Sequence, residues 1–184
     1  LAAIGSGLGS EEAIELVLTA IVFHLAVLVI FKFGAFLVLS LLETEGRSHR
    51  LEDLHGLARR DPLVAGSMFL FMLSLAGVPP LSGFLSKFLM INGIVNISAG
   101  TGASDATSVI DWLFSVEPVF WLAFAIVINS ALSMFYYLRI GLVMFFEEPE
   151  DSRTLKDAFS LRLAIVVCAI LTVIVGIGPL SDSL

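Results

Sequence analysis

The chain has 184 residues, 58% of them hydrophobic, with a mean hydropathy of +0.99 and a formal net charge of -7. Soluble domains carry roughly 45–50% apolar residues and small ones leave much of their surface exposed, so this much apolar surface requires lipid as part of its solvent. Charge clusters at 11–15, 43–61, 105–117, 147–162 and 182, with the stretches between nearly bare, which fits a multispan membrane protein with charged loops and helix ends and excludes a basic nucleic-acid-binding protein.

Residues 1–9 read as the end of a preceding helix, since they lack the basic flank and cleavage site of a signal peptide. Ser10, Glu11 and Glu12 then form a helix start, with acidic groups at the positive end of the helix dipole. The spacing predicts a transmembrane helix over 12–43 that exceeds a bilayer core of about 30 Å. Residues 44–61 are polar, with Leu51, Leu54, Leu57 and Ala58 at helical spacing, and are expected to form an interfacial amphipathic segment.

Residues 62–98 contain a single charged residue, Lys87, and are punctuated by Gly77, Pro79, Pro80 and Gly83. Proline lacks a backbone donor and clashes with a continuing helix, so the chain must turn or break there. The favoured expectation is a helix pair joined by the Pro79–Gly83 turn, giving five spans; the other is one discontinuous span. The two differ in topology: five spans put 44–61 and 148–158 on opposite sides, and a broken span puts them on the same side. A loop follows at 99–116, with Asp105, Asp111 and interfacial Trp112. Transmembrane helices are expected at 117–147, opening on Pro118, and at 159–180, with a charged loop at 148–158 between them.

The chemistry-bearing residues are few. Lys32, Lys87 and Lys156 are the three lysines, and the first two sit inside apolar helices. A charge at a helix centre costs about 2.5–3.5 kcal/mol on insertion scales, so such residues face protein or water and mark ion paths. Lys87 lies too far past the break for easy snorkelling, and a proton relay is the reading that uses it. Lys32 follows His24 by eight residues, on broadly the same face but offset by roughly 80°. Histidine titrates near neutrality and suits a hopping chain, although a lone histidine on an apolar face is as often a satisfied core group. Asn129, Ser130 and Ser133 add a polar stripe that also reads as interhelical packing, and Arg139 reads as an interfacial anchor. Cys168, the one cysteine, reads as a small buried hydrophobe. There is no nucleophile–base pair, phosphate loop, metal-ligand spacing or iron–sulfur motif in the sequence.

The segment SLAGVPPLSGFLSKF at 74–88 resembles the signature of the antiporter-like, proton-translocating subunits of respiratory complex I and of multisubunit cation/proton antiporters. KFGAF at 32–36, LEDLHGLARRDPL at 51–63 and NSALSMFYYLR at 129–139 look most like subunit N, and together with GIGPL near the end these segments cover nearly the whole chain in the right order. The resemblance implies an all-α polytopic membrane helix bundle, the second inverted repeat of that fold with its proline-broken helix, and covers the C-terminal third to half of it. It makes Lys87 the key lysine of the broken helix. It makes His24 and Lys32 the first histidine and the lysine of an HxxxHxxxK pattern, with Leu28 at the second histidine and water filling the gap. The first-repeat glutamate and lysine lie upstream of Leu1 in this scheme, so this stretch is not a complete pump.

By the same resemblance the protein is a multi-pass component of a prokaryotic plasma membrane and a non-redox subunit of a proton-translocating oxidoreductase. Its partners are other membrane subunits, lipid and protons. It holds no cofactor itself; NADH, coenzyme F420 or ferredoxin, FMN, Fe–S clusters and quinone belong to partner subunits. A D-type subunit of a multisubunit sodium/proton antiporter and a structural membrane subunit are the alternatives.

Overall fold

The structure, a computed structural model, describes residues 11–44, 50–99, 118–148 and 158–181. The expected helix tail at 1–9, Ser10 and most of the 99–116 and 148–158 loops lie outside these residues. The described helices are α1 (Glu11–Glu43), α2 (Leu57–Arg60, after a 3-10 turn at Leu51–Leu54), α3 (Pro62–Ala76), α4 (Ser82–Ala99), α5 (Pro118–Phe146) and α6 (Phe159–Ser181). Stretches within α1, α5 and α6 are each long and apolar enough to cross a membrane, and α3 is a shorter apolar helix.

α3 and α4 do not fold back on one another. Opposite α1, Gly34 meets Phe71, His24 meets Ser86 and Val17 meets Gly93, so residue numbers on the two sides run in opposite order without a reversal. The two short helices therefore lie end to end along α1. At 1.5 Å per residue their combined 33 residues match the 33 of α1, about 50 Å each. The helix pair expected at 62–98 is present, and its two helices continue in one direction along α1 instead of folding back at the Pro79–Gly83 turn. α5 runs antiparallel to this pair, with Gly141 against Phe69 and Ala123 clustered with Ile94 and Val17. α6 runs parallel to it, with Arg162 beside Asp61 and Gly176 beside Pro80 and Ser82.

The core lies between α1, α3 and α6 and is built from Phe31, Val38, Leu41, Val64, Phe71 and Ile165, each at most 1% exposed. Much of α5 points outward, including Phe135, Tyr136 and Phe146. Those surfaces suit lipid or further helices, because apolar side chains cost nothing there and the backbone is satisfied within the helix.

Residues 50–61, the described part of the 44–61 segment, do not form one continuous helix. Gly56 takes φ 61 and splits it into two single-turn pieces. Leu54 and Leu57 are buried against the bundle, and the Gly56 amide donates to the Val143 carbonyl at 3.3 Å. His55 Nε2 lies 2.9 Å from Glu147, and Arg59 lies 3.6 Å from Glu148. The end of α5 and the entry to α3 thus share one end of the bundle, as a broken span requires.

Candidate functional site

A helix ends with four carbonyls that lack an intrahelical donor. At the end of α3 each of these finds one. Gly77, at φ 86, donates its amide to Leu73 and Ser74, and the Val78 amide also reaches Leu73. The remaining two carbonyls are taken by a side chain: Lys87 Nζ donates to Leu75 at 2.8 Å and to Ala76 at 3.3 Å. A cation at the carbonyl end of a helix also gains from the helix dipole. Gly77 serves twice, since a Cβ there would sit 3.2 Å from Lys87 Nζ as well as in an unfavourable backbone region.

The start of α4 is tied across the same break. The Gly83 amide donates to Ser74 Oγ at 3.1 Å, and Ser74 and Ser82 hydroxyls lie 3.4 Å apart. Any side chain at Gly83 would strike the Ser74 carbonyl, and one at Gly176 would strike the backbone at Pro80–Ser82. The two glycines let α3 and α6 close around the interruption. The Pro79–Pro80 peptide bond within it is cis.

One turn into α4, Ser86 is fully buried and donates to the Gly83 carbonyl at 3.1 Å. His24 of α1 reaches the same hydroxyl through Nδ1 at 3.0 Å and lies within electrostatic reach of both Lys87 and Lys32. The structure therefore brings His24, Ser86, Lys87, Gly77, Pro79, Pro80 and Gly83 to one place. It does not bring the others there. The Lys32 side chain is exposed on the opposite side of α1 from the core and makes no hydrogen bond or ion pair among the described residues. Asn129 is exposed and Ser130 half-buried on α5, and neither makes a hydrogen bond or ion pair among the described residues.

Reasoning from sequence missed Ser74, Ser82 and Ser86. Their only signal is repeated serine flanking the Pro–Pro break in an otherwise apolar run. It also missed Asp61, which caps α3 by accepting from the Val64 amide at 3.2 Å and lies 2.7 Å from Arg162 of α6. That contact is one of charge to charge rather than an aligned hydrogen bond.

Such a bundle of long apolar helices, closed around an interrupted span, is that of a polytopic membrane protein. The sequence profile of the family described as "NADH:quinone oxidoreductase/Mrp antiporter, TM" matches residues 3–115, and this chain belongs to that family. It is 31% identical over 176 residues to NADH-quinone oxidoreductase subunit N of Desulforamulus reducens, covering 95% of this chain and 33% of that protein. It is 37% identical over 161 residues to the subunit of the same name from Chloroflexus aggregans, covering 87% of this chain and 29% of that one. Among solved structures, respiratory complex I from Thermus thermophilus with bound aureothin contains a chain matching at TM-score 0.52 and 25% identity, over 91% of this chain and 43% of that one. The chain spans about a third of the length of these curated relatives.

Proposed function

We propose that this chain is part of a subunit N-like, proton-translocating membrane component of a complex I-type quinone oxidoreductase, with Lys87 as the group that takes up and releases the proton. The observation that carries this reading is the Lys87 amine held on the two free carbonyls at the end of α3, inside an interrupted span. A neutral amine has two N–H donors and an ammonium has three. Two bonds to carbonyls satisfy either form and leave the third proton free to depart, so the site holds the side chain through both halves of a proton cycle.

His24 stands next in line, through the Ser86 hydroxyl. Lys32 enters this scheme only through water or through a neighbouring element that its exposed side chain meets. Electron transfer from NADH, coenzyme F420 or ferredoxin, by way of FMN and Fe–S clusters to quinone, belongs to partner subunits in this reading. The names of the curated relatives favour it over the cation/proton antiporter. The test is electron-transfer-driven acidification of sealed vesicles carrying Lys87→Ala, read beside quinone reduction; undiminished acidification would refute the assignment.

The same geometry supports an orientation. Segments 44–61 and 147–162 carry seven of the ten Lys and Arg residues, whereas 89–138 carries none. The positive-inside rule then assigns the end bearing His55–Glu147 to the cytoplasm. Cys168, the only native cysteine, is buried, so a cysteine at exposed position 148 gives a clean signal. Glu148→Cys is expected to react with a membrane-impermeant maleimide in inverted vesicles and not in intact cells. The reverse pattern would overturn the orientation.

A further inference from the structure

We propose that Ser86 is a positioning residue that holds His24 in its Nδ1–H tautomer, so that protons enter and leave this imidazole through Nε2 alone. Ser86 is 0% exposed, and its hydroxyl has two neighbours, the Gly83 carbonyl at 3.1 Å and His24 Nδ1 at 3.0 Å. A hydroxyl owns one proton and a carbonyl only accepts. If Ser86 donated to His24 instead, two oxygens would face each other 3.1 Å apart with no hydrogen between them, in a place closed to water. The arrangement that satisfies both contacts has Ser86 donating to Gly83 and His24 Nδ1–H donating to Ser86.

This fixes what the ring does. Among the described residues His24 Nε2 makes no hydrogen bond, so its lone pair is the one open to a proton. A proton arriving at Nε2 gives an imidazolium. It cannot leave through Nδ1, because Ser86 would have to pass its own proton to a carbonyl that has no proton to give onward. It therefore departs from the nitrogen at which it arrived. His24 becomes a one-nitrogen store and not a wire through the ring, and Ser86 closes the other exit. The transport role rests on the relay reading above; the tautomer does not.

The test uses the intact membrane protein, labelled with 15N-histidine in lipid, with the His24 signals assigned by difference from His24→Phe. Wild type is expected to show a protonated Nδ1 and an unprotonated Nε2. Ser86→Ala is expected to move the proton toward Nε2, and Ser86→Thr, which keeps the hydroxyl, to restore Nδ1–H. A wild-type ring protonated on Nε2 overturns the proposal, as does a Ser86→Ala ring that stays protonated on Nδ1. Should Ser86→Ala fail to accumulate, the wild-type and Ser86→Thr spectra still decide it, because both must show Nδ1–H. Acidification by Lys87→Ala is a separate readout: if that variant pumps normally, the relay reading falls while the tautomer assignment stands.

Discussion

Lys87→Ala is expected to slow proton transfer through this site by about 10²-fold or more, the usual worth of a positioned acid–base group. Alanine removes the amine and also strips the part-buried Leu75 and Ala76 carbonyls of their donor, which costs at most about 1–3 kcal/mol for each acceptor left unpaired. Loss of function in that variant alone would therefore mix chemistry with folding. Lys87→Arg separates them. Arginine keeps the charge and the N–H donors for the end of α3, but it does not deprotonate in proteins. The account predicts that Lys87→Arg restores assembly and leaves translocation as low as in Lys87→Ala. An assembled arginine variant that pumps at the wild-type ratio would mean that position 87 is an anchor and nothing more.

Asp61→Ala is expected to have the largest effect on stability. Asp61 is 5% exposed and performs two tasks, capping α3 and balancing Arg162. Losing an N-cap costs about 1 kcal/mol. Removing one member of a buried pair costs about 3–5 kcal/mol, and since the Arg162 side chain is 27% exposed, water recovers part of that. A combined loss of about 3–4 kcal/mol follows. Asp61→Asn keeps the capping oxygen and loses only the charge, so it belongs between wild type and alanine. Thermal unfolding of the purified protein in detergent should rank the three in that order. Equal stability of alanine and wild type would show that the pair does not hold α3 to α6.

Much of this was legible in the sequence, for identifiable reasons. Long apolar stretches bounded by charge located α1, α5 and α6, because lipid demands that length and composition. Gly77, Pro79, Pro80 and Gly83 located the break, and the isolation of Lys87 in an apolar run marked its importance. The direction in which α4 leaves the break was not legible. Prolines say where a helix must stop and not at what angle the next one starts. That angle is set by contacts distant in sequence, Gly83 against Ser74 and Gly176 against Pro80–Ser82. The 51–58 leucines misled because their spacing is helical while Gly56, in the left-handed region, interrupts the helix they imply. Lys32 was paired with His24 on a face shared only to within roughly 80°. In the bundle that offset suffices to turn His24 toward α4 and Lys32 outward. Ser86 carried no signal of its own, since a serine in an apolar run does not announce which imidazole it will meet. Asp61 and Arg162 stand too far apart in the chain for any local pattern to join them.

The central claim is that the side chain at position 87 is held inside the membrane span and away from both aqueous phases. Lys87→Cys in sealed vesicles of each orientation tests it, with Glu148→Cys as the exposed reference. A thiol in an apolar, water-poor place stays protonated and reacts slowly. The account predicts that in the resting protein a membrane-impermeant maleimide leaves position 87 unlabelled from either face over the time that saturates position 148. Labelling of position 87 at the rate of position 148, from either side, would contradict it.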